Sequence, residues 1–239
     1  MTDQVTTGRS DLRAAGIAGV ISGIAGLMGV GIAAFWSIPP PPPPPDLMPF
    51  IIEWHVENRG SLMIALALGA VSVSFFIWFA IGLSAMLRKS DRDSQPSVAM
   101  GAAVSSATLV LIGLVSRTVL NFSGAMGGEE FVVRALYDLA GFFTAFAAFP
   151  GAVFFFIVGR TVMRSRALPS FVPIGALVLA VLSLGSAAAA MGTTKGGFMA
   201  AGGMAQLGVM GLTVLWAFGT GLRMMSGARR ETTGPKERP

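Results

Sequence analysis

The chain has no cysteine among its 239 residues, and its single histidine is His55. The first absence excludes disulfides, thiolate metal sites and thiol catalysis; the second leaves imidazole chemistry one position to occupy. Charge is scarce as well, at 12% of residues, about half the share of a soluble domain. What charge there is sits between apolar blocks, and the centre of every block is free of Asp, Glu, Lys, Arg and His. Ionisable groups at mid-membrane mark proton relays, coupled carriers and voltage sensors, so their lack argues against all three.

Catalytic signatures are missing too. The Gly-x-Ser-Gly nucleophile and later histidine of rhomboid-type intramembrane proteases do not occur, nor do phosphate-binding loops, zinc-protease helices or dinucleotide fingerprints. Ser72 with Ser74, and Ser105 with Ser106, have no base at a spacing that would activate them.

What fills the chain is apolar: 53% of residues are hydrophobic, gathered into six continuous blocks of about 20 residues or more, enough at 1.5 Å per residue to cross a hydrocarbon core of about 30 Å. Continuity rather than alternation excludes barrel strands. The expected fold is all-α, a six-helix membrane bundle over 14–38, 61–87, 98–120, 132–159, 171–191 and 199–222, forming one domain over 1–239. None of the polar segments outside the spans is long enough for a second domain of about 50 residues. The first block follows Arg9 and Arg13 but, at 21 residues over 14–34, exceeds a signal h-region of about 7 to 15, so it reads as an uncleaved anchor.

Basic residues set the orientation. Thirteen of the 17 fall on one side: Arg9, Arg13, Arg88, Lys89, Arg92, Arg160, Arg164, Arg166, Arg223, Arg229, Arg230, Lys236 and Arg238, against Arg59, Arg117, Arg134 and Lys195. The richer side is expected to be cytoplasmic, which places both termini inside, with a tail over 1–13 and a basic tail over 223–239. Anionic lipids are the expected partners of that face, at about 1 kcal/mol per charge. The basicity then requires no nucleic acid.

The long loop, 39–60, falls outside. It opens with Pro39 to Pro45, a stiff polyproline spacer of about 22 Å. Asp46 to Asn58 follows, with Leu47, Phe50, Ile51 and Trp54 on one helical arc beside an acidic stripe of Asp46, Glu53 and Glu57. This predicts a short helix on the outer interface, with Trp54 at headgroup level, packed across the top of the bundle rather than acting as a gating or binding lid. Glu53 and Glu57 could share a cation, but His55 points elsewhere on that helix, so no metal is expected. Met191, Met199 and Met204 read as gap-filling residues rather than copper ligands. No cofactor is expected.

Polar groups gather near the outer ends of spans. Arg117 could pair with Asp138, although Arg134, four residues before Asp138, competes. The third span carries a small and polar stripe of Ala99, Ala103, Ser106, Val110, Gly113, Arg117 and Asn121; the sixth carries Gly202, Gln206, Thr213, Ala217 and Thr220. Such stripes serve as structural glue or line a solute path, and without mid-depth charge the glue reading leads. Gly19 and Gly23, flanked by Gly16 and Gly26, allow tight helix contact within the chain or in a homo- or hetero-oligomer. Pro150 with Gly151 predicts a kink whose freed backbone groups need a partner.

The segment Arg164 to Leu177, RSRALPSFVPIGAL, with Arg-Ser, Leu-Pro and a following Gly-x-Leu joining two spans, resembles a stretch in uncharacterised bacterial multi-spanning membrane families. That resemblance implies the topology and the bacterial inner membrane. The ends of the second, fourth and sixth spans share an aromatic, glycine and basic sequence that hints at three repeated hairpins. The leading expectation is a non-catalytic subunit or accessory factor of a membrane complex. The alternative is a facilitator or transporter subunit for a small solute, with an outer polar site drawn from Arg117, Asn121, Arg134, Asp138, Gln206, His55, Glu53 and Glu57. A lipid-acting enzyme using Asp138, Glu129 or Glu130 comes third.

Overall fold

The computed structural model describes residues 3–36, 48–90, 95–124, 129–192 and 203–230. The proline run, Asp46, Leu47, Lys195, Met199, Gly202, Lys236 and Arg238 lie outside the described residues, as do the side chains of Arg9, Phe50, Ile51, Lys89, Arg229 and Arg230.

Among the described residues seven α-helices form: α1 (Asp3–Trp36), α2 (Met48–Glu57), α3 (Arg59–Ser90), α4 (Gln95–Val119), α5 (Glu130–Ser165), α6 (Phe171–Gly192) and α7 (Met204–Arg230). All but α2 are long and apolar enough to span a bilayer. Hydrocarbon offers backbone groups no water, so a spanning segment must satisfy its own N–H and C=O groups, and a helix does so within itself. The protein is thus an all-α multi-pass membrane bundle. Pro96 and Pro173 stand in the first turns of α4 and α6, where a missing N–H costs no helical bond.

The six spanning helices form a ring in chain order, closed by α1 against α7, while α2 lies across one end and touches α3 and α5. The N-terminal half of α1 meets the C-terminal half of α7, since Gly16 faces Gly221 and Met225. We call this the terminal end and its opposite the α2 end.

Glycine draws the seam between α1 and α7 tight. A Cβ at Gly221 would lie 2.6 Å from the Gly16 carbonyl oxygen and 3.0 Å from the Val20 nitrogen, and one at Gly19 would lie 3.0 Å from the Ala217 carbonyl oxygen. The close contact expected of Gly19 and Gly23 is therefore made inside the chain. Backbone cannot yield as a flexible side chain can, so Gly221→Val should force the helices apart. We expect a loss of about 1–3 kcal/mol, measured by denaturant titration in mixed micelles. Gly101→Ala, where a Cβ meets nothing within 4 Å, should cost nothing.

Pro150 lies within α5 and deprives the Phe146 carbonyl of its helical donor. The next carbonyl, that of Ala147, accepts a hydrogen bond of 2.8 Å from the Ser106 hydroxyl of α4. A neighbouring serine thus supplies a donor beside the interruption. At the terminal end α5 stops at Arg166, whose left-handed backbone (φ 51°) returns its N–H to the Val162 carbonyl, and α6 begins five residues later.

The core fills the terminal half. Phe79, Leu83 and Leu87 of α3, Phe154, Phe155, Val158 and Val162 of α5, Val172 and Ala176 of α6 and Trp216 of α7 form one buried cluster. The α2 half is packed differently.

Candidate functional site

A cavity of about 250 Å³ runs inside the ring from the α2 end. Arg117 and Ala103 both line it, on the same helix. Their separation of fourteen residues corresponds to about 21 Å of depth. It ends on aromatic rings. Phe76, Phe154 and Phe155 line its floor. Beneath them, edge to face, stand Phe79 and Trp216: centroids lie 6.0 Å apart for Phe79 and Trp216, 6.3 Å for Phe154 and Trp216, and 5.3 Å for Phe155 and Trp216. The Trp216 indole donates to the Val172 carbonyl at 2.9 Å, tying α7 to α6.

The mouth is built by three elements. The end of α4 widens into a π-helical turn, Leu120–Gly124, a form that recurs where function interrupts a helix. It buries two consecutive residues, Leu120 and Asn121. Leu120 packs with Val133 and Ile52, and Asn121 lines the cavity. Its Nδ2 donates to the Arg117 carbonyl at 2.8 Å, which fixes the amide so that Oδ1 is the free end. That oxygen is buried and has no hydrogen-bond partner. Arg117, half-buried, also lines the mouth, as does Tyr137 of α5.

The third element is α2. Its C-terminal end is held by Asn58, whose Nδ2 donates to the Trp54 carbonyl at 3.0 Å, while the Ser61 hydroxyl of α3 donates to the Asn58 carbonyl at 3.0 Å. This one-residue joint directs α2 back over the ring. Trp54 is half-buried and lines the cavity. His55 also turns inward: it is 5% exposed, edge-on to Trp54 at 4.8 Å and to Tyr137 at 6.3 Å. Packing against Leu120, Val133 and Tyr137 decides which arc of α2 faces in.

Of the residues that the sequence singled out, Arg117, Asn121, Gln206 and His55 meet at the cavity. Arg134, Asp138, Glu53 and Glu57 are exposed and do not line it. Arg117 and Asp138 form no ion pair, since Asp138 faces away and its neighbour Tyr137 faces in. Among the described residues no three of His, Cys, Asp and Glu converge. Glu129 and Glu130 are exposed at the start of α5, away from the cavity. Among the described residues the only formal charge on the lining is that of Arg117, and none of them brings a carboxylate to it.

The two polar stripes do not glue their helices together. In the ring α4 and α7 stand opposite each other, and both turn their stripes to the cavity: Ser106, Val110, Gly113, Arg117 and Asn121 from one side, Gln206 and Thr213 from the other. Each stripe also joins its helix to a neighbour: Ser106 donates to the Ala147 carbonyl of α5, and Ala217 lies against Gly19 of α1. Sequence reasoning missed Tyr137, the Ser22 and Ser72 pair on α1 and α3, and Ser183 with Ser186 on α6, all on the lining. A signal existed for two helices. Tyr137, Thr144, Ala148 and Gly151 fall at helical spacing on α5, and Ser183 and Ser186 stand three apart on α6.

Comparison with protein-family models, with curated proteins and with solved structures finds no match to this chain.

Proposed function

We propose that the protein is a membrane carrier that binds a small organic molecule inside its helical ring. The observation that supports it is the cavity, about 250 Å³ of space between six spanning helices, where membrane bundles otherwise pack tightly through small residues. A subunit whose work lay on its outer surface would have no use for this space. The aromatic floor blocks a continuous pore, which favours binding and release over free conduction. With the termini cytoplasmic, as the basic distribution favours, the α2 end faces outward and the cavity takes its ligand from outside. Arg13, Arg88, Arg160, Arg164, Arg166 and Arg223 are exposed at the terminal end, in keeping with that orientation and with anionic lipid around it. The charge distribution and the resemblance of the 164–177 segment favour a bacterial inner membrane.

The cysteine-free chain lends itself to a direct test. Val110 lies on the cavity wall seven residues below Arg117, about 10 Å down. A Val110→Cys variant in sealed vesicles should react with a small, membrane-impermeant thiol reagent from the α2 side alone. No reaction from either side would remove the carrier reading.

A further inference from the structure

We infer that the ligand of this cavity is a single-chain amphipathic anion whose head also carries a hydroxyl, with the head at Arg117 and Asn121 and the chain lying down the shaft. The inference rests on the binding reading above and names its substrate class.

The head position follows from two groups. Among the described residues Arg117 brings the one formal charge of the lining, and no carboxylate on the wall neutralises it. A guanidinium stays charged at all working pH values and matches carboxylate and phosphate oxygens geometrically. Four residues on, Asn121 presents an acceptor, Oδ1, that is buried and lacks a donor. Because one Nδ2 hydrogen is given to the Arg117 carbonyl, turning the amide to present nitrogen at this point would break that bond, so Oδ1 stays where it is. A bare carboxylate would satisfy Arg117 and leave Oδ1 facing another acceptor. A head that offers both an anionic oxygen and an O–H satisfies both; the monoanion of a phosphate monoester is one, the main form below its second ionisation near pH 6, so the probes are compared below that pH.

The chain position follows from the wall below. Leu66, Val73, Phe76, Val110, Leu207 and Met210 are apolar. Four of the hydroxyls between them have spent their hydrogens on protein carbonyls: Ser72 on Ser22, Ser106 on Ala147, Thr144 on Ala140 and Ser186 on Ser183. A sugar-like solute would find few donors there and would leave its own polar groups unmatched, at about 1–3 kcal/mol each. An alkyl chain loses nothing. The shaft's depth of about 21 Å exceeds one leaflet's share of a hydrocarbon core of about 30 Å, so a membrane-length tail fits.

The ring also offers such a molecule an entrance. Among neighbouring spans α6 and α7 pack most loosely. Their close approaches, Gly175 to Trp216 and Phe171 to Gly219, lie in the terminal half. Toward the α2 end both helices turn side chains to the cavity. A tail can pass there from the outer leaflet while its head stays at headgroup level.

The test uses the full chain carrying Val110→Cys in nanodiscs, with four probes: dodecyl phosphate, dodecanoate, dodecanol and inorganic phosphate. Dodecyl phosphate is expected to protect the cysteine best, dodecanoate more weakly, and dodecanol and inorganic phosphate not at all. Comparing phosphate with carboxylate heads separates a lipid phosphate source from a fatty acid source. Adding Arg117→Gln should weaken protection by dodecyl phosphate roughly 10- to 100-fold, the value of a charge-assisted hydrogen bond, with unchanged cysteine reactivity in the absence of probe. The probe series on the parent chain does not depend on how well that variant folds. Equal protection by dodecanol and dodecyl phosphate, or protection by inorganic phosphate alone, would overturn the inference while the carrier reading stands. A cysteine that never reacts would take down both.

Discussion

A tryptophan in place of Val110 should close the shaft. Val110 is half-buried and its side chain lies on the cavity wall, so a larger side chain there grows into empty space rather than into a neighbour. Ser106 stands one helical turn deeper on the same wall, which makes it the natural reporter. In a Ser106→Cys chain, a thiol reagent applied from the α2 side should react readily; with Val110→Trp added, the rate should fall to background, and ligand protection should disappear with it. Stability should hold or rise slightly, because filling a void restores the contacts that its lining lacks. The thermal midpoint in detergent checks that half of the expectation. Persistent reaction at position 106 beneath the tryptophan would mean that the reagent also arrives sideways, through the loose seam between α6 and α7 that serves the tail, rather than down the shaft alone.

The contrast between what was legible and what was not has one physical origin. Hydropathy reports that a segment prefers lipid to water, and six segments do so strongly enough to be read directly. It reports far less about which face of a spanning helix looks inward, because lipid and protein interior are alike apolar. Only small and polar residues break that symmetry. They did so on α4, where Ser106, Gly113, Arg117 and Asn121 recur at helical spacing, and on α7 with Gln206 and Thr213. Whether two such faces touch or stand apart depends on the diameter of the ring, and no single helix encodes that. Arg117 and Asp138 looked like a pair for the same reason: axial depth is legible, rotation about the axis is not. Residue 137 rather than 138 turned out to face in.

The loop shows the limit from the other side. The helix over Met48–Glu57 was readable from its arc of apolar residues, and its acidic residues Glu53 and Glu57 are exposed. Its docking partner was not readable, since that partner is a surface made by the π-helical turn after α4 and the first turns of α5. A wider turn leaves no periodic trace in five residues. Three repeated hairpins fared in between. The pairs α1 with α3 and α4 with α5 pack closely, while α6 and α7 splay, and it is the splayed pair that carries the serines Ser183 and Ser186 to the cavity.

Removing the Trp216 side chain should cost more than any other single change to the floor. Trp216 is 7% exposed, meets Phe79, Phe154 and Phe155 edge to face, and donates to the Val172 carbonyl. In a soluble core Trp→Ala costs about 3–5 kcal/mol. With lipid rather than water as the alternative environment, the transfer share shrinks and the packing share remains, so about 2–3 kcal/mol is expected for Trp216→Ala, measured by denaturant titration in mixed micelles. Trp216→Phe keeps most of the ring contacts and loses the indole donor, at about 1 kcal/mol. The functional effect should be larger than the energetic one. Beyond the floor, toward the terminal end, lie the hydroxyls of Ser84, Thr161 and Thr220, all buried and without hydrogen-bond partners. Ser84 is five residues past Phe79, Thr161 six past Phe155 and Thr220 four past Trp216, which puts all three about 6–9 Å below the floor. Polar groups at one depth on three helices give water a foothold once the aromatic plug is gone. A Ser106→Cys chain with Trp216→Ala should therefore become reactive from the terminal side, where the parent is silent. If it stays silent while stability falls as expected, the seal against the terminal side lies deeper, in the cluster around Leu83, Leu87, Val158 and Val162.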